Sequence, residues 1–296
     1  MPCSAIDVDH IVEGGTARGE YCRGTAQDGP AYTEPKRMRA LVPRRSALFR
    51  PLPRVTEAGG EQRGTVAVLA GCVQDRWFRE VNLATILVLA RNGWRVLVPR
   101  EQQCCGALPA HYGRLGTARK LTRANCRAFA GADHVIVNAA GCGAHMKEYG
   151  ELAGPGAELP VRDLMEFLDD EGLLEEPGEL AATVAYHDAC HALRAQRIRE
   201  QPRAVLRQIP GLELVEIPNG DRCCGAAGLY NVLEPEMSAA LRRETCEAIV
   251  STGASTIASA NPGCSMQLAA GLRELGVRAE VIHPVQLLDR AYRVAP

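Results

Sequence analysis

The chain has 296 residues, 46% of them hydrophobic and 23% charged, with a formal net charge of −1. That length buries a sizeable core in one large or two smaller domains, and the near-neutral balance gives no general attraction to nucleic acid or to an anionic membrane. The longest apolar run, Leu83–Ala90, is far too short to span a bilayer, and the opening MPCSAIDVDH lacks the charged and apolar regions of a secretion signal. A cytoplasmic, reducing setting is therefore expected, in which twelve cysteines read as metal ligands or core residues sooner than as disulfides.

Residues 1–63 hold paired glycines and six prolines without a sustained helical or strand period, so they read as an extended or poorly ordered arm. Lys36 to Arg54 carries seven basic residues and no acidic one. A solvated linker is the favoured reading of this strip; docking on a partner or a membrane surface is the sharper one.

From Arg63 the texture is α/β. TVAVLAG reads as a strand ending at Cys72, Trp77–Asn92 has helical spacing closed by Gly93, and WRVLVP is a second strand running into Cys104, Cys105 and Gly106. A helix over 113–130 follows, then the strand HVIVNAAG and Cys142. RDLMEFLDDEG predicts a helix with Asp163 and Glu166 as a capping pair and Gly172 as its stop. The order then repeats: TVAYHDAC ends at Cys190, ELVEIP precedes Cys223 and Cys224, and STIASANPG precedes Cys264. A strand, AEVIHP, and a helix, VQLLDRAY, close the chain.

Eight cysteines thus form two copies of one pattern: a Cys, a Cys-Cys-Gly, and a Cys in Gly-Cys. The pair follows the first Cys by 32 and 33 residues, and the last Cys follows the pair by 37 and 40. Every ligand group follows the carboxyl end of a predicted strand, where sites gather in open α/β sheets. Four soft ligands per copy match a [4Fe–4S] cluster or a structural zinc. Zinc sites favour short Cys-x2–4-Cys knuckles, whereas these ligands are spread along the chain and include adjacent thiols. A cluster in one or both copies is favoured, with zinc as the alternative in one site. Gly106 and Gly225 let backbone and N–H groups approach the sulfurs.

Cys126 and Cys246, at matching positions on the helix after each pair, read as small buried hydrophobes, and Cys3 and Cys22 as incidental. His187 and His191 flank Cys190 and read as supporting or capping groups rather than ligands; His111 follows the first pair and could tune a cluster or contact a substrate. No GxGxxG, Walker sequence or Ser-His-Asp set is recognisable, so no catalytic residue is assigned.

YHDACH, CCGAAGLYN, NPGCSMQLA, HPVQLLDRAY, LAGCVQDRWFREVN, QQCCGALPAHYG and NAAGCG resemble the carboxy-terminal half of glycolate oxidase iron–sulfur subunits, over about Met38 to Tyr292. The wider group is the cysteine-rich CCG-domain proteins, with the B-type component of heterodisulfide reductase and the C-type component of anaerobic glycerol-3-phosphate dehydrogenase. The resemblance implies an electron-transfer subunit, not catalytic alone, that passes electrons from a flavoprotein hydroxy-acid oxidase toward quinone at the inner face of the cytoplasmic membrane. It implies Cys72, Cys104, Cys105, Cys142, Cys190, Cys223, Cys224 and Cys264 as ligands. Two departures stand out. The heterodisulfide reductase relatives have Cys-x-x-Cys where this chain has Ala139 and Asn261 as the earlier residue, which points to ordinary electron transfer. The ferredoxin half with its Cys-x2-Cys runs does not occur here, so a separate ferredoxin-type protein is a candidate partner.

The expectation is an α/β protein of two pseudo-symmetric Rossmann-like CCG repeats with parallel-rich sheets: an arm over 1–63, a first domain over 64–160 and a second over 161–296. The alternatives are a zinc-stabilised scaffold subunit and a heterodisulfide-reductase-type thiol/disulfide subunit.

Overall fold

The computed structural model describes Leu41 and residues 51–294. Apart from Leu41, the reading of residues 1–50 as an arm, with Cys3, Cys22 and most of the basic strip, lies outside the described residues.

Two sheets are built alike. The first contains β1 (Val55–Thr56), β2 (Gly64–Val68), β3 (Trp94–Leu97), β4 (His134–Val137) and β5 (Val161–Asp163), in the order β1-β3-β2-β4-β5. The second contains β6 (Ala182–His187), β7 (Leu212–Glu216), β8 (Thr256–Ser259) and β9 (Glu280–Ile282), in the order β7-β6-β8-β9. All pairings are parallel except that of β1, which runs antiparallel to β3. The central strands carry the β-branched runs that sheets buried on both faces require: Val66, Val68, Val135, Val137, Val184 and Ile257 are all inaccessible to solvent. Strand order reverses direction beside β2 and β6, and loops that leave the carboxyl ends there open a crevice.

β5, from beyond residue 160, completes the first sheet by pairing with β4. Three residues are too few to show alternation, and the helix signal that follows this strand masks it. At the other end, Val55–Thr56 adds an edge strand from within the segment read as arm, and Val98 N donates to Arg54 O at 2.8 Å.

The helices are α1 (Cys72–Trp77), α2 (Arg79–Arg91), α3 (Ala107–His111), α4 (Leu115–Ala128), α5 (Ala140–Lys147), α6 (Tyr149–Ala153), α7 (Leu164–Glu171), α8 (Glu200–Leu206), α9 (Tyr230–Leu233), α10 (Pro235–Ser251), α11 (Pro262–Glu274) and α12 (Pro284–Val294), with a π-helical turn at His191–Ala195. The predicted Trp77–Asn92 helix is α2, which begins at Arg79, and Phe78 separates it from the short α1 before it. The capping box is present: Asp163 accepts from Met165 N and Glu166 N, and Glu166 returns to Asp163 N. The last helix has its own version, in which His283 Nδ1 accepts from Val285 N at 3.1 Å and Gln286 Oε1 accepts from His283 N at 3.0 Å.

The helix that closes each repeat packs on the other repeat. α7 lies on α8 and α12 lies on α2, with Asn92 Nδ2 donating to Tyr292 OH at 3.1 Å and Arg91 to Tyr292 O at 2.6 Å. One apolar core therefore runs through both halves, from Val66, Leu89, Trp94 and Phe167 to Val184, Leu206 and Leu288.

Candidate metal centres

In the first repeat, α1 begins at Cys72 directly after the β2 loop, Cys104 and Cys105 follow β3, and Cys142 lies in the first turn of α5 after β4. The structure brings all four together. Cys72 Sγ and Cys104 Sγ are 3.5 Å apart, Cys105 Sγ and Cys142 Sγ are 3.3 Å apart, and Cys104 hydrogen-bonds Cys105. The adjacent pair is clamped from behind. Asn125 Nδ2 donates to Cys104 O at 3.0 Å, its Oδ1 accepts from Gln103 N at 2.7 Å, and Tyr149 OH donates to Cys105 O at 2.6 Å. Gly106 turns the chain at φ 91°.

The second repeat reproduces the arrangement. Cys190 follows β6, Cys223 and Cys224 follow β7, and Cys264 lies in the first turn of α11 after β8. Cys223 hydrogen-bonds Cys190 and Cys224, and Cys224 hydrogen-bonds Cys264. Two N–H groups point at sulfur: Gly225 N to Cys223 at 3.4 Å and Asn261 Nδ2 to Cys264 at 3.5 Å. Asn261 Oδ1 also accepts from Gly141 N, and Ala140 N donates to Ala260 O, so the starts of α5 and α11 are tied across the pseudo-two-fold. Arg203, itself 1% exposed, grips Asp188 with both Nη atoms at 2.9 Å and so steadies the loop that carries Cys190.

The electrostatics reflect crowding. Hydrogen bonds from Cys104 and Cys142 pull the Cys105 thiol well down, and those from Cys190 and Cys224 do the same for Cys223. The neighbours Cys142, Cys190 and Cys224 are pushed up, chiefly because each gives its hydrogen bond to an ionised partner. One thiolate per site is favourable; four demand a cationic core among them. Clustered sulfurs, four of the eight cysteines buried and four half-buried, the N–H donors aimed at sulfur in the second site and a charge deficit fit an iron–sulfur cluster or a soft metal ion.

Of the histidines, His187 is buried beside the second site: a ring nitrogen and the sulfurs of Cys224 and Cys264 lie within 4.8 Å of one another. Burial pushes it down to about 4. His191 Nδ1 is 3.6 Å from Cys190 Sγ. His111, exposed on α3, stacks on His191 with centroids 6.1 Å apart, which joins the two repeats beside their sites. His145 on α5 is not singled out by sequence. It is 8% exposed, its ring meets Tyr149, and its charge couples to Cys105. Its one signal is its place a helical turn after Cys142. Asn125, Ser238 and Gln267 also escape sequence reasoning, since polar residues inside amphipathic helices carry no spacing signal. Cys126 and Cys246 stay apart from the sites, and donate to Ala157 O and Leu268 O instead.

Fold and sites define a duplicated α/β protein with one four-thiol centre at the carboxyl ends of each parallel sheet. The chain belongs to the Cysteine-rich domain (CCG) family, whose pattern matches twice, over residues 66–147 and 184–269. It is 34% identical over 271 residues to the "Probable glycolate oxidase iron-sulfur subunit" of Bacillus subtilis (strain 168), covering 86% of this chain and 61% of that protein. It thus spans about three-fifths of that relative's length. It is 30% identical over 234 residues to "Lactate utilization protein A" of Geobacillus kaustophilus (strain HTA426), covering 76% of this chain and 98% of that one. A hypothetical protein from Helicobacter pylori shares the fold, with a TM-score of 0.55 at 13% identity, over 84% of this chain and 53% of that chain. Among the described residues, no helix is long and apolar enough to cross a membrane.

Proposed function

We propose that this chain is the iron–sulfur electron-transfer subunit of a flavin-dependent 2-hydroxy-acid oxidoreductase, and that it is not catalytic by itself. The observation that carries the reading is the gathering of four cysteine sulfurs at the same place in both repeats. Cys72, Cys104, Cys105 and Cys142 would hold one cluster, and Cys190, Cys223, Cys224 and Cys264 the other. A bound [4Fe–4S] cluster supplies acceptance and release of single electrons. The chain's own residues bury four of the eight cysteines, hold the adjacent thiols in register and, in the second site, aim N–H groups at sulfur. The names of the relatives agree with this role, as an iron–sulfur subunit of one oxidase and a protein of lactate utilization. The second relative is matched over 98% of its length. The electron donor is a flavoprotein subunit, directly or through a separate ferredoxin-type protein, and the acceptor beyond this chain is quinone or a similar group.

Iron and acid-labile sulfide are measured on anaerobically purified chain, with visible and electron paramagnetic resonance spectra. About four irons per loaded repeat, with matching sulfide, support the reading. Stoichiometric zinc without sulfide overturns it in favour of a scaffold subunit. Hydroxy-acid oxidation by the isolated chain with an artificial acceptor overturns the carrier role. Thiol-dependent disulfide cleavage does so in favour of heterodisulfide-reductase chemistry.

A further inference from the structure

The second site contains a polar pair where the first has an apolar one. His187 stands three residues before Cys190, and the residue three before Cys72 is Leu69. Its partner in the β6–β8 register is Ser259, five residues before Cys264; the residue five before Cys142 is Val137. All four side chains are buried, at 1% exposure or less. The first repeat thus lines the floor of its site with Leu69 and Val137, and the second with an imidazole and a hydroxyl.

That imidazole is half satisfied. Its Nδ1 and Ser259 Oγ are 3.2 Å apart. Its Nε2 has no hydrogen-bond partner among the described residues, and the ring reaches within 4.8 Å of the Cys224 and Cys264 sulfurs. A buried polar atom without a partner costs free energy, and an orphan on a ring this close to ligand atoms points to a group that would occupy the site. When Ser259 Oγ–H donates to Nδ1, the ring proton sits on Nε2. The opposite tautomer would leave a bare lone pair at Nε2 beside a group of electron-rich sulfurs; this one leaves an N–H free to be offered to them.

We propose that His187 donates its Nε2–H to a sulfur of the cluster held at the second site and thereby raises that site's reduction potential. The proposal rests on the iron–sulfur reading given above. An N–H···S bond draws electron density from sulfur and favours the reduced state, which carries one more negative charge. Gly225 N and Asn261 Nδ2 already point at Cys223 and Cys264, so His187 adds a third donor to a site whose floor would otherwise be as apolar as that of the first. No bond is made or broken: one electron enters from a reduced carrier such as the partner's flavin, and the imidazole keeps its proton.

The test uses the full chain, loaded and handled anaerobically, as wild type, His187→Leu and His187→Gln. Iron and sulfide per chain come first. The second-site signal is the one that survives in a Cys142→Ser background, and it is followed in a potentiometric titration read by electron paramagnetic resonance. The expected result is unchanged iron, a downward shift of the second-site midpoint in His187→Leu, and recovery of a large part of that shift in His187→Gln, whose amide still offers N–H. Pulsed resonance should find a weak nitrogen coupling in the wild type that the Leu variant lacks. Coincident midpoints in all three proteins at equal iron content overturn the proposal. So does a strong nitrogen coupling, which would make His187 a ligand. If His187→Leu loses its iron, the Gln variant decides by its midpoint. Wild-type chain without iron and sulfide refutes the cluster reading itself, a failure distinct from equal potentials.

Discussion

Gly225 turns the chain at φ 84°, and a Cβ there would lie 2.5 Å from the Ser238 carbonyl oxygen on α10. Ser238 Oγ in turn donates to Gly225 O at 2.8 Å and is held by Gln267 Nε2 at 2.9 Å. This glycine is needed twice, for its backbone conformation and for the approach of α10 to the Cys223–Cys224 pair. Gly113 has φ 70° with open space around it and isolates the first requirement. Gly113→Ala should cost about 1–2 kcal/mol, the left-handed penalty alone. Gly225→Ala should cost clearly more and reduce iron retention, as read from urea midpoints and iron content. Equal costs would show that α10 shifts freely. Residue identity at the sites is legible because eight thiols recur in register. The clamp behind them is not: Asn125, Tyr149 and Ser238 act through backbone atoms that only the folded chain brings near.

At the scale of elements, the two closing helices begin with matched capping boxes of opposite proton chemistry. Burial pushes Asp163 up to about 6 and His283 down to about 3. Asp163, an acid with a raised folded value, contributes stability that is full below its unfolded value near 4 and is lost as pH rises through about 6. His283, a base with a depressed folded value, contributes stability that is full above about 6.5 and is lost as pH falls toward about 3. Asp163→Asn keeps an acceptor for Met165 N and should remove the Asp163 gain seen on acidification from pH 6 to 4, at most about 3 kcal/mol. His283→Asn should remove a loss on acidification below pH 6.5. Urea midpoints across pH 3.5–7 check both signs, and slopes unchanged by either variant would refute them. The first box is readable because Asp and Glu stand at N-cap spacing; the second is not, since histidine is no ordinary N-cap residue. Strands β1 and β5 escape the sequence because two or three residues show no periodicity.

For the whole molecule, the duplication is legible but the exchange of closing helices is not, because contacts between α7 and α8 or between α12 and α2 leave no local pattern. The exchange makes the halves interdependent. Phe167, on α7 of the first repeat, is fully buried and meets Trp94 edge-on at a centroid distance of 4.9 Å, within the core that continues to Leu206 and Leu288. Both tryptophans, Trp77 and Trp94, lie in the first repeat, so fluorescence reports that half. Cys246, fully buried on α10 with its thiol pushed up to about 12 by desolvation, reports the second half by resisting alkylation until it unfolds. The two probes should give coincident urea transitions in the wild type. Phe167→Ala should cost about 3–5 kcal/mol and move both transitions together, although no atom of the second repeat is altered. If fluorescence shifts while Cys246 protection holds, the repeats unfold independently and the shared core does not couple them.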